Sequence, residues 1–122
     1  MRSASKPEFI GRSEDSSAAP MRTAMELLGQ RWIMRVIWEL EPGALGFLEL
    51  RRRMGNCSSS MLSERLRHLS AAELVTKNDD GAWELTVQGA DLGTALAPVW
   101  DWAERWARRE IRVRQPGAIR TP

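Results

Sequence analysis

The stretch SSSMLSERLRHLSAAELV, Ser58 to Val75, decides how the chain folds. Leu62, Leu66 and Leu69 return at helical spacing and share one side of a wheel, whereas Ser60, Ser63, Glu64 and Arg67 fall on the other. Ser58 suits the N-cap. A helix pinned by such leucines turns its hydroxyl-rich end outward, where free backbone N–H groups attract anions, with an arginine further along. An ordinary solvated helix shows the same periodicity, so the flanking segments must decide.

Upstream, GNCS reads as a turn, and FLELRRRM (47–54) as a helix with Phe47, Leu50 and Met54 on one face and Glu49, Arg52 and Arg53 opposite. Downstream the period changes. LVTKNDDGAWELT holds two short extended runs, 74–77 and 82–85, around an Asp-Gly turn, which is a hairpin signal. Before EPGALG, the run RWIMRVIWEL (31–40) is apolar almost all round, with only Arg35 and Glu39 marking a wet side: a core helix. Pro20 opens a short helix that ends at Gly29. From about Val87 to Arg112 a long helix carries a stripe of Leu92, Leu96, Val99, Ala103 and Trp106, bent at Pro98.

This order of elements is that of a winged helix-turn-helix, mainly α with a small β-hairpin. Residues 1–19 read as a disordered leader, 20–112 as the domain and 113–122 as a flexible basic tail. In such a layout Ser58, Ser59, Ser60, Ser63, Glu64 and Arg67 form the DNA-reading face. Arg52 and Arg53 flank it as phosphate contacts, and Lys77 and Asn78 lie on the wing. Double-stranded DNA is the expected partner.

Composition narrows the alternatives. With 122 residues, 43% hydrophobic and 28% charged, the chain is one globular domain. No apolar run has the length of a membrane span, so no membrane partner and a cytoplasmic location are expected. One cysteine (Cys57) and one histidine (His68) argue against an internal disulfide, a metal site or a bound cofactor. No nucleophile, base and orienting residue form a set, so no enzyme is expected. The net charge of +2 is small, and placement of charge must carry any DNA contact.

The segments APMRTAMELLGQRW, FLELRRRMGNCSSSMLSERLRHLSAAELV and LGTALAPVWDWAERW resemble the HxlR-type winged-helix regulators, a group related to the MarR type. The Gly29–Trp32 turn, F-x-E-L-R-R at 47–52 and M-L-S-x-R-L-R-x-L at 61–69 carry the resemblance most specifically. It implies a homodimer joined through the first and last helices, with paired recognition helices on a near-palindromic operator, and a transcriptional regulator acting as a repressor. The chain departs from the pattern in several places. Ala19 stands where many members have a cysteine, Ser59 and Ser60 replace a proline and a basic residue, and Glu73 replaces a glycine. The wing is shorter, and an extra helical turn precedes Leu92.

Of the six tryptophans, Trp32, Trp38 and Trp83 are expected in the core. Trp100 and Trp102 lie on opposite flanks of the last helix's stripe. Two readings follow. Met21, Met25, Leu28, Val99, Trp102 and Trp106 form a dimer interface, or a flat aromatic effector lodges between subunits against Met25, Trp100 and Trp102. The alternative to DNA reading as a whole is a winged-helix module that binds a protein or a ligand and has little affinity for DNA.

Overall fold

The computed structural model describes the backbone of residues 18–114 and the side chains of residues 18–109. The rest of the expected leader and tail lies outside the described residues. The order is α1 (Ala19–Leu28), α2 (Ile33–Leu40), α3 (Phe47–Arg53), α4 (Ser59–Ala71), β1 (Val75–Lys77), β2 (Trp83–Leu85) and α5 (Val87–Arg114). This is a mainly helical winged helix-turn-helix.

The core is built from α2, α3 and α4. Ile33, Val36, Ile37, Leu40, Leu50, Met54, Leu62, Leu66 and Leu69 are almost completely enclosed, joined by Val75 and Leu96. The three helices close one small core because each contributes an apolar stripe. α2 itself departs from expectation. Glu39 is buried at 8% exposure, whereas Trp38, expected in the core, is 48% exposed, and Met34 is also exposed. The reason is an ion pair: Arg35 Nε reaches Glu39 Oε2 at 2.8 Å, so the acid is tolerated against the core.

Strands β1 and β2 pair antiparallel with Val75 opposite Leu85 and Lys77 opposite Trp83. Leu45 adds a single bridge to Trp83, extending the sheet by one residue of the loop after α2. The turn works as its sequence demands: Asn78 Oδ1 accepts from the N–H groups of Asp80 and Ala82, and Gly81 takes φ +82.

Thr86 caps α5, its Oγ1 accepting from Gly89 N at 3.0 Å and donating to Glu73 O at 2.6 Å. Gly89 is required here, because a Cβ would stand 2.0 Å from Leu74 O. The buried side of α5 is Leu92, Leu96 and Trp100, not the predicted line through Val99 and Trp106, which are 42% and 53% exposed. An i, i+4 row drifts around a straight helix, and beyond Leu96 Trp100 and Ala103 lie beside Met34 and Trp38 of α2.

Candidate nucleic-acid interface

The helix-turn-helix corner is set by backbone conformation. Gly55 and Asn56 both take positive φ, +74 and +56, conformations that suit these two residue types. The Arg51 side chain crosses the corner and donates from Nε to Cys57 O. Cys57 is buried, with the core cluster of α2, α3 and α4.

α4 then starts at a working cap, with Ser58 Oγ accepting from Met61 N at 3.2 Å. Two further bonds fix the helix against the turn between α1 and α2. Arg65 Nε donates to Arg31 O at 2.7 Å, and His68 Nδ1 lies 2.8 Å from Gln30 Oε1. The turn can receive them because Trp32 occupies the left-handed region at φ 80, with its indole packed on the core. Neither Arg65 nor His68 was singled out as a positioning residue from sequence. For Arg65 the signal was present, since it lies beside the buried leucine stripe; His68 falls about as far from the stripe as Arg67, and periodicity does not mark its contact with Gln30.

With Leu62, Leu66 and Leu69 enclosed, Ser58, Ser59, Ser60, Ser63, Glu64 and Arg67 are all exposed, on the predicted face. That face can donate and accept hydrogen bonds along its length and offers helix N-terminal N–H groups to a phosphate. Its charge is partly internal. Arg67 Nη2 stands 3.9 Å from Glu64 Oε2, and His68 Nε2 lies 3.6 Å from the same oxygen. Arg52 and Arg53 at the end of α3 are exposed but both pair with Glu49, Arg53 at 2.9 Å.

On the wing, Lys77 projects over the Trp83 ring, its Nζ 5.2 Å from the centroid, and keeps its charge in solvent. Asn78 is a different matter. Its carbonyl holds the turn and its amide nitrogen reaches Glu84 Oε1 at 3.3 Å, so as placed its side chain supports the wing and does not extend from it.

The residues assigned to an interface between copies are accessible in one chain, apart from Leu28. Met21, Met25, Val99, Trp102 and Trp106 are exposed, and Leu28 packs partly on the core. Trp102 and Trp106 stack with ring centroids 5.6 Å apart at 8°. Within one chain the three effector-contact residues do not line a common groove. Trp100 lines a groove of ≈ 410 Å³ with Met34, Arg35, Trp38, Ala103 and Glu104, whereas Met25 and Trp102 do not line it. The sequence reading missed this groove because it assigned Trp38 to the core.

Among the described residues no cluster of acids, histidine and cysteine could hold a metal ion, and no helix is long and apolar enough to cross a membrane.

A domain of this kind, with a capped, core-pinned helix presented beside a short wing, is a DNA-binding helix-turn-helix of the winged class. The family model for the HxlR-like helix-turn-helix matches residues 27–111, and the chain belongs to that family of transcriptional regulators. It is 32% identical over 89 residues to the HTH-type transcriptional regulator YodB of Bacillus subtilis, covering 71% of this chain and 80% of that protein. YvaP, an HTH-type transcriptional regulator of the same organism, is 29% identical over 90 residues, 72% and 83% of the two chains. The crystal structure of quinone-bound YodB superposes with a TM-score of 0.65 at 31% identity, covering 71% of this chain and 97% of that one. A MarR-family regulator from Enterococcus faecalis shares the fold, with a TM-score of 0.65 at 22% identity, covering 88% of this chain and 99% of that one.

Proposed function

We propose that the protein is a homodimeric, sequence-specific repressor that lays α4 of each subunit in the major groove of a near-palindromic operator. The observation that carries this reading is the orientation of α4. Burial of Leu62, Leu66 and Leu69 leaves every one of the six reading residues, Ser58 to Arg67, in solvent on one surface. Ser58, Ser59 and Ser60 let the helix start approach a phosphate closely, and Arg67 reaches a base edge. Arg52, Arg53 and Lys77 supply phosphate contacts at the margins.

Dimerisation through α1 and α5 supports the same reading. Met21, Met25, Val99, Trp102 and Trp106 are too many large apolar side chains for two helices to leave in water. A small aromatic effector completes the scheme; the relative YodB has been crystallised with a quinone bound. The alternative, a ligand- or protein-binding module with little DNA affinity, draws on the pairing of Arg52 and Arg53 with Glu49.

The test is a footprint of the protein on the DNA upstream of its own gene. Two protected half-sites about one helical turn apart, roughly 10 base pairs, are expected for paired recognition helices. Binding that is uniform along the fragment and vanishes with modest salt favours the module instead.

A further inference from the structure

We propose that His68 is a positioning residue of the reading face: on protonation it takes Glu64 away from Arg67, so that DNA is held more tightly as pH falls. His68 is the single histidine of the chain, so any imidazole response comes from this side chain alone.

Two contacts define the ring. Nδ1 lies 2.8 Å from Gln30 Oε1, an acceptor, so in the neutral imidazole this nitrogen carries the proton and Nε2 is bare. Nε2 in turn lies 3.6 Å from Glu64 Oε2. A bare ring nitrogen and a carboxylate oxygen both present lone pairs, and their approach gains nothing. A proton added at Nε2 turns the same two atoms into a charge-assisted hydrogen-bonding pair, closed by a small side-chain rotation. The bond to Gln30 holds the ring through the change, because Nδ1 donates in both forms.

Glu64 Oε2 also stands 3.9 Å from Arg67 Nη2. This one oxygen therefore faces two cations when His68 is protonated and one when it is not. The imidazole is the better placed of the two. Its side chain is 33% exposed and tied to the turn between α1 and α2, whereas Arg67 is 70% exposed on a long stem and loses more freedom by pairing. Protonated His68 thus holds Glu64 and leaves Arg67 to solvent or to DNA. The remaining charged groups beside the ring are engaged elsewhere. Arg65 on α4 donates from Nε to Arg31 O, and the Arg31 guanidinium of the turn lies over the Trp32 ring, 5.2 Å from its centroid.

The consequence for DNA rests on the proposed reading by α4; the handover within the protein does not. If the complex favours the protonated ring, binding takes up a proton and affinity rises as pH falls.

The handover is read without DNA, by NMR of the Arg67 guanidinium carbon and the Glu64 carboxylate carbon from about pH 8 to about pH 6. Both signals should move with the His68 ring in the native protein. They should stay still in His68→Gln, whose amide can still donate to Gln30. An Arg67 signal that ignores titration of the ring overturns the proposal. Affinity is then measured on a duplex taken from upstream of the gene, at one salt concentration. The native protein should gain about fivefold over the same pH range, and His68→Gln should gain nothing. Glu64→Gln separates the handover from a simple added charge. With the shared acceptor gone, Arg67 is free at both pH values, and the gain should shrink below about twofold. A gain undiminished in Glu64→Gln shows His68 acting only as one more positive charge near phosphate and overturns the proposal. A handover seen by NMR with no DNA binding at either pH contradicts the reading by α4, and with it the affinity half of the proposal.

Discussion

Arg67 and Glu64 lie one turn apart on the exposed face of α4, with 3.9 Å between Nη2 and Oε2. Both side chains are largely in water, 70% and 50% exposed, so their pairing contributes little to the fold. Its importance is for DNA. A carboxylate on the reading face either accepts from a cytosine amine or repels phosphate, and it holds back the arginine beside it. Glu64→Gln is therefore expected to strengthen binding to random-sequence DNA by about 1 kcal/mol at low salt while reducing discrimination for the operator. Binding isotherms on the two DNAs, taken across a salt series, check this.

Glu73 sits at φ 63, a region that costs a non-glycine residue about 1 kcal/mol or more. It is fixed there because Leu74 must turn immediately into β1 and Glu73 O must meet Thr86 Oγ1. Glu73→Gly should raise stability by roughly 0.5–1 kcal/mol, since relief of strain exceeds the added freedom of the unfolded chain. Urea unfolding with an unchanged slope would register it. A loss of stability would show that the turn is not strained.

The contrast between Leu66 and Trp106 separates core from interface. Leu66 is 1% exposed, and Leu66→Ala should cost about 2–5 kcal/mol by opening a cavity. Trp106, at 53% exposure, has no comparable enclosure within one chain. Trp106→Ala should chiefly weaken association, so its unfolding midpoint depends on protein concentration more steeply than that of the native protein. A large loss that is independent of concentration contradicts the assignment.

Oxidants should leave DNA binding unchanged. Ala19 replaces the cysteine seen in many family members, and Cys57 is 9% exposed beneath the Arg51 side chain. A thiol needs access, and a lone one has no resolving partner in its own chain. Gel shifts after diamide treatment test this; a response that disappears in Cys57→Ser would reverse it.

The fold was legible because its signals are local and mutually consistent. The leucines of α4, the Ser58 cap, the Gly55–Asn56 corner and the Asn78–Gly81 turn each appear in sequence and each hold in three dimensions. The groove was overlooked. Trp38 was placed inside for its apolar bulk, whereas the buried Ile33, Val36, Ile37 and Leu40 recur at i, i+3, i+4 and i+7, a spacing that puts Met34 and Trp38 on the opposite face. The pairing of Arg52 and Arg53 with Glu49 follows from the same i, i+3 and i, i+4 spacing and could have been read in advance. The buried side of α5 was misjudged because the predicted stripe assumes a core as long as the helix.

Arg67→Ala tests the central claim most directly. Arg67 is exposed and opposite the buried leucines, so the variant should fold and melt as the native protein does. If α4 reads the major groove, operator affinity falls by about 1–3 kcal/mol and preference relaxes at one base position, while affinity for random DNA falls much less. The measurement is a competition titration of native and Arg67→Ala protein on operator and scrambled duplexes at one fixed salt concentration. Equal operator affinity for the two proteins would contradict the account.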